Sequence, residues 1–196
     1  MSISHRYMEI LNPSSSEKIL QLGKLLRLKK GSRVIDFGCG CAKALILWAE
    51  EFGITGVGID ISEELCERAK AELSKKNLLD KIEIVCSPAA DYIFEKGAFD
   101  AATCIGATFA FGGYKQTIQA LKQAVHKNGR LGIGETYWLS SQVHPEYAQK
   151  QTTTYTEIEL PIYPKRRLRT RIHHPFKPRR LGQIHFRQLV RPNTLA

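Results

Sequence analysis

Short apolar segments alternating with amphipathic ones from residue 14 to residue 138 predict an α/β fold, a doubly wound and mostly parallel sheet with helices on both faces. Two spacings sharpen that expectation. The first strand candidate, Val34-Ile35-Asp36-Phe37, runs into Gly38-Cys39-Gly40. The second, Gly56-Val57-Gly58-Ile59, ends on Asp60, about 20 residues later. A glycine turn after one strand and an acid at the end of the next suit a nucleoside-bearing cofactor at the carboxyl edge of a parallel sheet. Glycine lets the backbone approach the ligand, and the acid accepts hydrogen bonds from ribose hydroxyls.

The elements follow in order. Ser14-x-x-Glu17 has the form of a capping box, and Ile19, Leu22, Leu25 and Leu26 repeat at helical spacing up to Leu28. Gly31 stops that helix. Arg33 to Phe37 is a buried strand, followed by a helix from about Ala42 to Glu51 and a strand from Gly56 to Asp60. Ser62 caps a third helix, with Glu63 and Glu64 in the first turn and Leu65, Ala69 and Leu73 as its inner stripe. Lys81 to Cys86 is a third strand, with a short helix expected near Asp91 to Glu95. Phe99 to Ile105 is the fourth strand and Tyr114 to His126 a helix. Asn128-Gly129 is a turn, and Arg130 to Tyr137 the fifth strand.

With 196 residues the chain predicts one domain with a real core. It contains no run of 18 apolar residues and no apolar leader core in residues 1–12, so neither a membrane span nor a signal peptide is expected. Cys39, Cys41, Cys66, Cys86 and Cys104 form no Cys-x-x-Cys pair, and no His or Cys cluster completes a site around Cys39-x-Cys41. Small buried thiols in a reducing cytoplasm, and no metal, are the expectation. The net charge of +10 is uneven: residues 1–150 carry +2 and residues 151–196 carry +8.

A nicotinamide dinucleotide is the first rival for the cofactor. Its fingerprint asks for a third glycine where Lys43 stands. Asp36, two residues before Gly38, would also repel a pyrophosphate and attract a cation.

The run Asp36-Phe37-Gly38-Cys39-Gly40 resembles the first motif of class I S-adenosylmethionine-dependent methyltransferases. Gly58-Ile59-Asp60-Ile61-Ser62 is similar to their acidic loop, Phe99 to Gly106 to the strand-four motif, and Asn128-Gly129-Arg130 through Glu135 to the fifth-strand motif. Four motifs in order make the set specific, over about residues 14–160. The resemblance implies a Rossmann-like core with S-adenosylmethionine as cofactor. It implies a cofactor-facing set of Asp36, Gly38, Cys39, Gly40, Asp60, Ile61, Ala89, Asp91 and Ile105. Asp36 and the glycine loop would face the methionine moiety, Asp60 the ribose and Ile61 one face of the adenine. Two departures stand out. Ala42 replaces a frequent third glycine, and Pro88 falls where an acid is usual, leaving Asp91 to contact the adenine amine or that contact missing.

Methyl transfer from a sulfonium is an in-line displacement, so alignment and exclusion of water dominate. A general base is needed only for an acceptor that keeps its proton at neutral pH. Glu135 is the candidate polar contact or base, and Phe109, Tyr114, Tyr137 and Trp138 are the candidate substrate pocket for a small, partly apolar acceptor. His126 falls at the opposite sheet edge in this topology. No Asn-Pro-Pro-Tyr-type run follows strand four, which weighs against methylation of a DNA adenine or a protein glutamine. Besides a small-molecule methyltransferase, an RNA methyltransferase using the tail and a cofactor-binding remnant without catalysis stay open.

The division expected is a methyltransferase domain at 1–160 and a basic tail at 161–196, where Pro161 and Pro164 end any helix. Three readings of the tail stay open. It is an RNA-binding arm acting through phosphates, or closing strands with Gln183 to Val190 as the best candidate, or the product of an altered reading frame. On the last reading the final strands of the sheet are missing or altered.

Overall fold

The computed structural model describes residues 14–136 and 184–189, with the backbone alone for 135, 136 and 184–189. Its elements are α1 (Ser16–Leu25), β1 (Arg33–Phe37), α2 (Lys43–Phe52), β2 (Thr55–Asp60), α3 (Glu63–Lys75), β3 (Ile82–Cys86), β4 (Phe99–Ile105), α4 (Tyr114–Ala124), β5 (Val125–Thr136) and β6 (Ile184–Leu189). They build one sheet in the order β3-β2-β1-β4-β5-β6. The first five strands are mutually parallel. β6 runs antiparallel along β5, from Leu131 opposite Leu189 to Thr136 opposite Ile184. That strand lies inside the segment 183–190 singled out as a closing strand; the rest of the tail falls outside the described residues.

Period-2 alternation decides which face each strand residue serves. Val34, Ala101 and Ile105 face a core built with α1, α2 and α3, through Leu22, Leu26, Leu45, Trp48, Ala69 and Leu73. Ile35, Phe37, Ala102 and Cys104 face the other core, closed by Leu121 and Ala124 of α4 and by Tyr92, Phe94 and Phe111. Phe37 meets Phe94 and Phe111 edge to face, with centroids 5.7 and 5.2 Å away.

The helix ends follow local chemistry. Ser15, one residue after the expected cap, accepts a hydrogen bond from the Lys18 N–H at 3.3 Å. α1 stops at Leu25, short of the expected Leu28. Arg27 turns left-handed (φ 55°), so the Leu28 N–H reaches the Gly23 carbonyl at 3.0 Å and the Arg27 N–H that of Lys24. α3 ends the same way, with Asn77 left-handed and Leu78 bonded to Leu73.

α1 lies close on α2 because Gly23 faces it. A Cβ there would collide with the Phe52 ring and sit 2.8 Å from Trp48. Trp48 in turn donates its ring N–H to the Ile19 carbonyl at 2.8 Å. Gly23→Ala is therefore expected to lower stability by about 1–2 kcal/mol despite alanine's better helix propensity, since overpacking outweighs it. A thermal melt followed by Trp fluorescence checks this; an unchanged Tm would contradict the close approach.

Two expectations are corrected. No helix forms near Asp91 to Glu95: Asp91 sits in a turn and residues 92–95 hold no regular secondary structure. Tyr92 and Phe94 both pack into the α4-side core while Ile93 between them is 91% exposed, a period of two that a helix cannot give. Asn128-Gly129 is not a turn between separate elements, and α4 ends at Ala124. β5 begins at Val125 opposite Phe99 and resumes at Arg130 opposite Ala101, so residues 126–129 bulge against Asp100. Gly129 passes close to Val125 and to the Phe99 carbonyl there, which leaves no room for a side chain.

Candidate functional site

The sheet reverses its winding between β1 and β4, which opens a crevice at the carboxyl ends of the two strands. Gly38 leaves β1 at φ 72°, and its N–H and that of Cys39 both donate to the Ile59 carbonyl, at 2.8 and 3.0 Å. The loop is thus tied to the end of β2. A side chain at Gly38 would strike the Cβ of Ala107, which leaves β4, so glycine is demanded by both conformation and space. Ala42, the departure noted at the third-glycine position, is itself left-handed at φ 56° and opens α2.

The Asp60 carboxylate braces the same loop. One oxygen accepts the Gly40 N–H at 2.8 Å and the other the Ser62 N–H at 2.9 Å. A carboxylate offers about four acceptor positions, so two remain for a ligand diol. Asp36 is buried at 3% exposure, and its carboxylate accepts from the Thr103 hydroxyl at 2.6 Å. Burial pushes the Asp36 carboxyl from 3.8 up to about 6; the Thr103 bond pulls it back and the Asp60 charge adds to the rise. Burial also pushes the Cys39 thiol well above its ordinary range, with Asp36 and Asp60 adding to it, which makes it a poor nucleophile.

These groups share a cavity of about 520 Å³. It is lined by Asp36, Gly38, Cys39, Gly40, Asp60, Ile61, Ala89, Ile105 and Phe109 of the expected set. Ile61 and Phe109, at 70% and 67% exposure, stand at its rim. Asp91 does not line it: it is exposed, and its N–H bonds to the carbonyl of Pro88, which does line the cavity. Tyr114 packs against the α4-side core instead. Glu135 lies on β5 with His185 as its cross-strand neighbour. Tyr137 and Trp138 fall outside the described residues. His126 pairs with Asp100 at 3.1 Å, beside the Arg33 N–H at the amino edge, away from the cavity.

Ile19 and Lys43 also line the cavity, and Thr103 supports it from below. Their sequence signals pointed elsewhere, Ile19 to a helix stripe and Lys43 to a misplaced glycine. Among the described residues no three His, Cys, Asp or Glu side chains could hold a metal ion, and no helix is long and apolar enough to cross a membrane.

A doubly wound sheet with a glycine loop, an acid on the neighbouring strand and a buried carboxylate beneath them defines an α/β domain of the nucleoside-cofactor-binding class. Residues 34–129 match a family model described as a methyltransferase domain. Uncharacterized protein YjhP of Escherichia coli K12 is 35% identical over 148 residues, 76% of this chain and 59% of that protein. A methyltransferase from Thiobacillus denitrificans, crystallised in complex with S-adenosyl-L-homocysteine, superposes with a TM-score of 0.71 at 33% identity, over 75% of this chain and 59% of that one. A demethylmenaquinone methyltransferase of Listeria monocytogenes is 26% identical over 72% of this chain and 59% of that protein. The chain belongs to the class I S-adenosylmethionine-dependent methyltransferases. It spans about three fifths of the length of these relatives.

Proposed function

We propose that the cavity binds S-adenosylmethionine and that the chain transfers its methyl group to a small-molecule acceptor. The observation that carries the reading is the single cavity shared by Asp36, the Gly38–Gly40 loop and Asp60. The fit is chemical. Gly38 lets the loop turn tightly against Ala107 at the cavity wall, Asp60 keeps acceptor capacity for a diol, and Asp36 places negative charge where a dinucleotide would bring phosphates. The cofactor supplies an activated methyl group on a sulfonium.

The chain's own residues bind and orient. Asp60 accepts from both ribose hydroxyls, Ile61 and Ala89 flank the adenine, and Asp36 faces the cationic methionine end with Gly38, Cys39, Gly40 and Ile105 around it. Asp91 is too peripheral for the adenine contact, which leaves that edge to the backbone near Pro88. Phe109 at the rim marks the acceptor side. Alignment of the acceptor atom with the methyl group and exclusion of water do the chemical work. The Thiobacillus and Listeria relatives, methyltransferases by name, support a methyltransferase; the Listeria name supports a small acceptor.

Calorimetry with S-adenosylhomocysteine tests the cofactor site, and absence of binding would sink it. Asp60→Asn keeps shape but loses charge and one acceptor, so affinity is expected to fall roughly tenfold. Labelled cofactor incubated with metabolite extracts then reports the acceptor.

A further inference from the structure

We infer that Thr103 is a positioning residue of the cofactor site: its hydroxyl holds the buried Asp36 carboxylate in its ionised, cation-binding form without touching the cofactor. This rests on the proposed cofactor reading.

The placement follows from the sheet. Asp36 and Thr103 are direct partners across the parallel β1–β4 pair, so their side chains leave the same face side by side. Thr103 is completely buried and is not among the residues lining the cavity. Space for it is made from the next strand: a Cβ at Gly132, its partner on β5, would stand 3.0 Å from the Thr103 methyl. The hydroxyl has one proton and two acceptors within reach, the Asp36 carboxylate at 2.6 Å and the Ile35 carbonyl at 3.4 Å. The nearer, charged acceptor makes the shorter and stronger bond.

The surroundings otherwise work against ionisation. Asp60 on β2 adds a like charge, the Cys39 thiol sits in the turn after β1, and α1 contributes only apolar Ile19 to the cavity. Lys43 of α2 lines the same cavity. The Thr103 hydrogen bond opposes burial and the Asp60 charge by lowering the Asp36 proton affinity. Every neighbouring β4 residue on this face is apolar, Ala101 and Ile105, so the hydroxyl is the exception in its row.

The test is S-adenosylhomocysteine affinity of the full chain between pH 5 and pH 8. In the wild type, affinity should fall as pH drops through about 6, as Asp36 takes up a proton. Thr103→Val keeps shape and removes the donor, which should raise the midpoint by about one pH unit. Its affinity should then be about five- to tenfold weaker at pH 5–6 and within twofold at pH 8. The ligand's own titration is common to all variants and cancels in the ratio. Thr103→Ser, which keeps the hydroxyl, should retain the wild-type midpoint. Thr103→Ala should give the raised midpoint if the valine variant does not fold. A hydroxyl-free variant with the wild-type midpoint, or weakened equally at every pH, overturns the assignment. Absence of binding by the wild type overturns the cofactor reading instead.

Discussion

Gly38→Ala is expected to lower Tm by roughly 10 °C and to weaken S-adenosylhomocysteine binding by about a hundredfold or more. Two costs add. A left-handed backbone (φ 72°) costs an alanine about 1–2 kcal/mol relative to glycine. The new methyl also collides with the Ala107 Cβ, and overpacking of that kind costs about 1–3 kcal/mol. At roughly 2–4 °C per kcal/mol for a chain of this size, the sum gives the shift in Tm. Binding suffers more than stability, because relief of the clash moves the loop that carries Gly40 and its bond to Asp60. The two costs are separable. Ala107→Gly removes the colliding methyl, so the double variant should regain the contact part and keep the backbone part. A double-mutant cycle in thermal melts should return a coupling of about 1–3 kcal/mol. Additive effects would mean that β1 and β4 do not meet at this point.

The parallel core was legible because its signals are local and repeated. Apolar runs of strand length, alternating with helical stripes, fix both element type and sheet class. Arg33–Phe37 and Phe99–Ile105 are found where the sequence placed them. The misses occur where a longer-range contact overrides a local pattern. A short helix was expected near Asp91 to Glu95, but there Phe94 packs edge to face on Phe37 and Tyr92 stacks on Phe94. Asn128-Gly129 looked like a turn before the fifth strand, yet pairing with β4 on both sides of Asp100 turns it into a bulge. At the end of α1, no residue at position 27 announces a left-handed cap, since arginine is an unusual choice there.

The site was legible wherever backbone conformation restricts residue type. Gly38, Gly40 and Asp60 could be read as a group because a close turn and a bracing acid need those residues. The bonds of Gly40 to Asp60 and of Gly38 to the Ile59 carbonyl show the same requirement from the other side. Thr103 was illegible for the opposite reason. A threonine in a strand has high β propensity and needs no further cause, so only the β1–β4 register reveals its partner. Ile19 illustrates the same limit, since one helix stripe serves both the α2 interface and the cavity wall.

Asp36→Asn is expected to stabilise the cofactor-free protein near neutral pH while damaging cofactor binding. The Asp36 carboxyl stands at about 6 in the folded chain against 3.8 when solvated. Such a rise corresponds to about 3 kcal/mol. The sign is set by proton uptake. Between pH 3.8 and 6 the folded state binds more protons at this group than the unfolded state, so its contribution is fully present below 3.8 and lost as pH rises through 6. Above pH 6 the folded chain carries a buried charge that accepts a hydrogen bond from the Thr103 hydroxyl. Asparagine has no charge to bury, and its Oδ1 can still accept from Thr103. The difference in unfolding free energy between variant and wild type should therefore grow by about 2.5 kcal/mol in the variant's favour from pH 4 to pH 7.5. Urea melts at the two pH values measure it, and a pH-independent difference would refute the buried-charge account. Affinity moves the other way: S-adenosylhomocysteine and S-adenosylmethionine both carry an ammonium, and both should bind roughly ten- to a hundredfold more weakly without the carboxylate. The wild-type loss of affinity below pH 6 should also disappear. A charge held in the fold at the expense of stability, and removable with a gain in stability, is what a binding carboxylate looks like and what a structural one does not.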